Sequence, residues 1–139
     1  MNAIDTNVFI YRLDRRDPVK QGKARSLLRQ LAVDTTPTVL LWQVLGELMP
    51  QLRYWQDRGQ LTRDGFLRYV ATFRRLHPLV MPTSQVLDRA LDLAGRHVLS
   101  HWDSMLVGAC QEAGVTRPFT EDTGAPATYD GVELVNPFI

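Results

Sequence analysis

Apolar positions along the chain alternate between short runs and helical stripes. Asn2 to Asp5 reads as a short apolar strand, and Thr6 to Leu13 as one or two helical turns. Asp17-Pro18 pairs a capping acid with proline at a first helical position, and the helix it opens carries Ala24, Leu27, Leu28 and Leu31 at helical spacing. Thr36 to Leu41, with Thr-Val-Leu-Leu after Pro37, predicts a second strand buried on both faces. Leu41, Leu45, Leu48 and Leu52 then form an i, i+4, i+7, i+11 stripe for a helix from Trp42 to Arg58, in which Pro50 predicts a kink or break.

A further helix is expected from Thr62 to Leu76, with Phe66, Tyr69, Val70 and Phe73 on one side. Leu79 to Met81 is a short strand between prolines, Thr83 to His97 a helix, and Ser100 caps a helix over His101 to Ala113 that Gly114 ends. Arg117 to Thr120 reads as a strand in which Pro118 must take the start or an unpaired edge position, and Glu133 to Val135 as a last short strand. Strands interleaved with helices in this way predict one α/β domain over residues 1–139, a three-layer α/β/α arrangement around a mainly parallel sheet.

Composition narrows the class. With 45% apolar and 22% charged residues in 139, the chain belongs with globular domains. No apolar run approaches the ~18 residues of a membrane span, and the start has neither the basic nor the apolar region of a secretory signal, so a cytoplasmic protein with no membrane partner is expected. Cys110, the only cysteine, excludes an internal disulfide and any multi-cysteine zinc site. Sixteen basic and fifteen acidic residues give +1, which announces no nucleic-acid partner, and the dominance of arginine over two lysines reads first as coding bias.

In an open parallel sheet, ligands bind beyond the carboxyl ends of the strands, where this chain carries acids. Asp5 ends the first strand and Glu47 lies in the second helical turn after the next. Asp103 sits in the first turn of the helix that Ser100 caps, and Glu121 with Asp122 closes the strand from Arg117. Each has an ordinary explanation: Asp5 and Asp103 as helix-capping groups, Glu121 and Asp122 as turn residues, Glu47 as a surface acid beside an apolar stripe. Together they repel, by about 4 kcal/mol for a pair 4 Å apart at an effective dielectric of 20. They must therefore protonate or hold cations, and oxygen-only donors suit Mg²⁺ or Mn²⁺. Phosphate-cradling glycine loops are absent, and Ser100, His101 and Asp103 lie too close in sequence for a catalytic triad. His77 and His97 read as structural or exposed, and Trp42, Trp55 and Trp102 as core or interface packing in preference to base stacking.

Five stretches in order then resemble a known family. Ile4-Asp5-Thr6-Asn7-Val8, Gln43-Val44-Leu45-Gly46-Glu47-Leu48, Leu99-Ser100-His101-Trp102-Asp103, Thr120-Glu121-Asp122 and Val135-Asn136-Pro137-Phe138 are similar to the PIN domains of VapC-type toxins, over essentially the whole chain. The resemblance implies a metal-dependent endoribonuclease, the toxin of a toxin–antitoxin pair. Its catalytic, metal-holding acids fall on Asp5, Glu47, Asp103 and Asp122, with Asn7 and Thr120 in support and Glu121 as an additional acid. Thr123-Gly124-Ala125-Pro126 departs from the family's usual sequence after the last acid.

The resemblance also implies an RNA substrate, Mg²⁺ or Mn²⁺, a homodimer, and an antitoxin whose C-terminal segment lies near the acids. Trp42, Trp55, Phe66, Tyr69 and Phe73 on the helices between the second and third strands point the same way, toward apolar surface in excess of what one sheet covers. The alternatives are a catalytically silent RNA- or protein-binding module of the same fold, a receiver domain, which lacks its late lysine here, and a DNA nuclease, which acids alone do not exclude.

Overall fold

The computed structural model describes all 139 residues. Its central sheet contains β1 (Asn2–Ile4), β2 (Thr38–Leu41), β3 (Leu79–Val80) and β4 (Arg117–Phe119), all parallel and ordered β3-β2-β1-β4. The first strand is therefore central, with Ala3 opposite Val39 on one side and Pro118 on the other. Helices α1 (Thr6–Leu13), α2 (Pro18–Val33), α3 (Trp42–Asp57), α4 (Arg63–Leu76), α5 (Ser84–Arg96) and α6 (His101–Ala113) fill the crossovers. No helix is long and apolar enough to cross a membrane.

Local chemistry sets the helix ends. Asp17 accepts the Lys20 N–H ahead of Pro18, Thr62 that of Gly65, and Ser100 that of Asp103. Gly114 closes α6 in the left-handed conformation, where a side chain would be strained. Gly108 has a different duty: a Cβ there would lie 3.1 Å from the Val86 carbonyl, so its absence lets α5 and α6 pack backbone to backbone.

Both sheet faces are buried. Ile4, Leu40, Val8, Phe9, Val44, Leu48, Leu52 and Val107 are almost wholly removed from water. Phe9 meets Phe73 of α4 with ring centroids 4.6 Å apart, and His77 lies beside the same ring, its pKa lowered by burial.

The structure departs from the sequence reading in two places, at Pro50 and at the end of the chain. Helix α3 runs through Pro50 unbroken. Proline removes only the bond that would end on the Gly46 carbonyl, on an exposed turn where water can replace it. Pro118 takes the edge position the sequence reading allowed it: β4 is the outer strand of the main sheet, and the Pro118 carbonyl faces away from β1 and accepts the Val135 N–H at 3.0 Å, so the missing N–H costs nothing on the β1 side. The end of the chain forms an antiparallel hairpin of β5 (Ala127–Tyr129) and β6 (Val132–Leu134), joined to the open edge of β4 by a parallel bridge between Phe119 and Val135 and by the Glu133 N–H on the Thr116 carbonyl at 2.8 Å. Its turn is Asp130-Gly131, both at positive φ, as two-residue hairpin turns require. Of the aromatics read as core or interface packing, Trp42 and Trp102 are 48% and 62% exposed, whereas Trp55 packs against the core and Phe66 and Phe73 are buried.

Candidate active site

The first acid follows directly from topology. Asp5 closes the central strand and caps α1, so its carboxylate lies between β2 and β4 at their carboxyl ends. It accepts the Thr6 N–H at 2.7 Å on one oxygen, and on the other the Thr120 hydroxyl at 2.7 Å and the Asn7 amide at 3.4 Å. These donors favour the charged form, but burial outweighs them, and with Glu47 and Asp122 adding like charge nearby the pKa rises from 3.8 to about 6.

The neighbouring acids are held by the same small set of polar side chains. The Asn7 amide nitrogen faces three oxygens, on Asp5, on Thr120 at 3.2 Å and on Asp122 at 3.1 Å. Thr120 in turn accepts the Asp122 N–H at 3.0 Å, which turns the chain back toward Asp5. Glu47 is exposed but fixed at both oxygens, by the Thr6 hydroxyl and the Gln43 amide, each at 2.9 Å. Gln43 also reaches the Trp102 carbonyl at 3.0 Å, tying α3 to the first turn of α6. There Asp103 accepts the Thr123 hydroxyl at 3.0 Å.

The structure thus gathers Asp5, Glu47, Asp122, Asn7 and Thr120 into one hydrogen-bonded network, with Asp103 held at its α6 side. Glu121 faces elsewhere: it pairs with Lys20 at 2.8 Å and accepts the Tyr11 hydroxyl, both outside the network. Sequence reasoning missed Thr6, Gln43 and Thr123 as holders of acids. Thr123 carries a visible mark of the task, because it is buried and adopts φ 59°, a conformation costly for a β-branched residue. The segment that departs from the family pattern thus supplies the partner of Asp103.

None of the four acids pairs with lysine, arginine or histidine; every donor they meet is neutral. The carbonyl oxygen of Asn7 is buried without any donor. No three of the His, Cys, Asp and Glu side chains converge as a ready-made metal cage. What the site offers is uncompensated negative charge and hard oxygen atoms, one of them an unsatisfied carbonyl. That set fits a divalent cation such as Mg²⁺, which keeps several of its own waters and takes only a few protein oxygens.

A parallel sheet between helices, ordered β3-β2-β1-β4, defines a PIN-like fold. Solved structures of toxin–antitoxin proteins share that fold. A toxin–antitoxin complex from Klebsiella pneumoniae has a TM-score of 0.70 at 17% identity, covering 99% of this chain and 98% of that one. VapBC2 from Rickettsia felis, bound to a DNA fragment from its promoter, gives 0.67 at 9% identity over 96% of both chains. VapC20 from Mycobacterium tuberculosis, a toxin that cleaves the sarcin–ricin loop, gives 0.67 at 16% identity over 96% of this chain and 99% of its own. No protein-family model and no curated protein matches the sequence.

Proposed function

We propose that this chain is a metal-dependent endoribonuclease, the toxin component of a type II toxin–antitoxin system acting in the cytoplasm. One observation carries the reading: Asp5, Glu47, Asp103 and Asp122 stand at one sheet edge without a single cationic partner. The PIN-like fold, shared with toxins of that kind, supports it. Mg²⁺ or Mn²⁺ is the expected cofactor, held by those carboxylates with the Asn7 carbonyl available beside them. When bound, the ion supplies positive charge to the reacting phosphate and acidifies water.

The chain's own residues do the positioning. Thr6 and Thr120 clamp the Asp5 carboxylate, and Asn7 holds Asp122 beside it, so the most buried charge is also the most rigid. Glu47, exposed and fixed by Thr6 and Gln43, orients the attacking water from the open side. Asp103, held by Thr123, faces the same space from α6. With water as nucleophile the RNA 2′-hydroxyl takes no part, and the cut leaves a 5′-phosphate and a 3′-hydroxyl. Selection of RNA then rests on shape, with single-stranded loops the accessible targets.

A cognate antitoxin that covers the acids, and a homodimer, complete the proposal. The exposed Trp42 and Trp102 beside Met81 and Met105 form an apolar cavity of about 740 Å³ next to Glu47, which such an assembly would cover. Purified protein incubated with structured RNA and Mg²⁺ or Mn²⁺ should give the predicted ends. Cyclic-phosphate products, or full cleavage in EDTA, would overturn the mechanism.

A further inference from the structure

The net charge of +1 hides a division of the chain. Residues 1–76 contain thirteen lysines and arginines against seven acids, a net +6, whereas residues 77–139 contain three against eight, a net −5. The fold keeps the two populations apart. The basic residues lie on α1 to α4 and the turns between them, and α1 packs on both α2 and α3; α5 packs chiefly on α6.

Pairing sharpens the contrast. Every arginine after residue 76 is matched to carboxylate: Arg89 to Glu112, Arg96 to Asp92 and Asp130, Arg117 to Glu133. Before residue 77 only Arg16 and Lys20 are matched, to Asp14 and Glu121. Arg25 and Arg29 on α2, Arg53 on α3, and Arg68, Arg74 and Arg75 on α4 are exposed and meet no acid. Arg68 and Arg75 are two turns apart on one stripe of α4, opposite the buried Phe66 and Phe73. Bias toward arginine explains the residue type but not this distribution, since it would supply arginine equally to both halves.

We infer that the solvent face of α2 and α4 is a phosphate-binding surface that holds the RNA strand flanking the cut. Resting on the ribonuclease reading above, the inference adds where the polymer lies. Unpaired guanidinium groups grip phosphates bidentately and do not read sequence. The two basic helix pairs also leave from the acids themselves, because α1 starts at Asp5 and α3 carries Glu47. A strand crossing the acids therefore meets positive charge on the α1–α4 side and repulsion on the α5–α6 side, which fixes the side on which it runs.

Binding without cutting isolates this surface. Anisotropy of a fluorescein-labelled single-stranded RNA 20-mer, titrated with the Asp103→Asn protein in EDTA at several KCl concentrations, gives the dependence of affinity on salt. Adding Arg25→Gln, Arg29→Gln, Arg68→Gln and Arg75→Gln should lower the slope of log K against log salt by about 0.7 for each phosphate no longer neutralised, approaching 3 for four. The control Asp88→Asn, on α5, should leave the slope unchanged, and circular dichroism verifies that each variant is folded. An unchanged slope in the fourfold arginine variant overturns the inference while leaving the nuclease reading standing. Unchanged RNA binding with lost capture of the antitoxin would assign the face to protein and overturn it as well. If the wild-type chain neither binds nor cuts RNA, the functional reading fails first and this one with it.

Discussion

Asp5 and Asp130 are the same residue in opposite electrostatic circumstances. Asp130, at the tip of the β5–β6 hairpin, is gripped by Arg96 with His97 beside it, and its pKa falls to about 2. Asp5, buried at the sheet edge among neutral donors and like charges, is pushed up to about 6. The hairpin acid already has its counter-charge and is complete as folded. The sheet-edge acid is held in place by hydroxyl and amide groups that orient it without neutralising it, so its compensation must come from outside. Asp130 has a partner of opposite sign; Asp5 has only scaffolding.

On that contrast, the largest effect belongs to the scaffolded acids. Asp103→Asn or Asp5→Asn should reduce RNA cleavage by more than about 100-fold, since removing even a group that only supports a metal ligand commonly costs about 10–100-fold. Near wild-type rates in either variant, with metal present, would remove that residue from the site.

Stability gives an independent reading. The folded chain keeps the Asp5 proton to about pH 6, whereas the unfolded chain releases it near 3.8, so wild-type stability falls as pH rises between those values and the cost is complete above 6. In EDTA, Asp5→Asn should therefore unfold at higher urea than wild type at pH 7, by about 3 kcal/mol, with the advantage gone below pH 4. A difference independent of pH would show that the charge is not the source of the cost.

Smaller losses are expected from the supports. Asp122→Asn should cost less than Asp103→Asn, and Thr123→Ala about 10-fold in cleavage, because Asp103 survives but swings free. Equal loss in Asp122→Asn and Asp103→Asn would place Asp122 among the principal anchors. The smallest effect belongs to the hairpin: Asp130→Asn keeps the left-handed turn and removes only an exposed ion pair, so cleavage should not change and the thermal midpoint only slightly. A large drop in cleavage would mean that the hairpin is coupled to the acids.

The strand-ending acids were legible because a parallel sheet brings successive strand ends together whatever lies between them. Asp5, Glu47 and Asp122 needed only correct strand assignments. Their holders were not legible in the same way. Thr6 reads as a helix start, Gln43 as one more polar residue on α3, and Thr123 as a turn residue, and only the tertiary arrangement aims their side chains at carboxylates. A last strand was expected at Glu133–Val135, close to β6, but β5 and the hairpin turn were missed although Asp130-Gly131 marks it, since a three-residue strand is too short to show an alternating pattern. For Trp42 and Trp102 the sequence left core and interface open, and only the structure shows both exposed, in the first turns of α3 and α6.

The central place of β1 has a consequence for how the molecule comes into being. Asp5 emerges from the ribosome well before the Thr120 hydroxyl that fixes its carboxylate, which lies 115 residues further on, just past the last strand to join the main sheet. Asp122 and the Thr123 clamp on Asp103 follow still later. Until that stretch leaves the exit tunnel, β1 lacks one neighbour and the acids lack their geometry, so a growing or truncated chain carries the ingredients of the site without the site. Chemistry arrives in one step once that stretch is out, and a chain broken before residue 117 should be inert however well its first half folds.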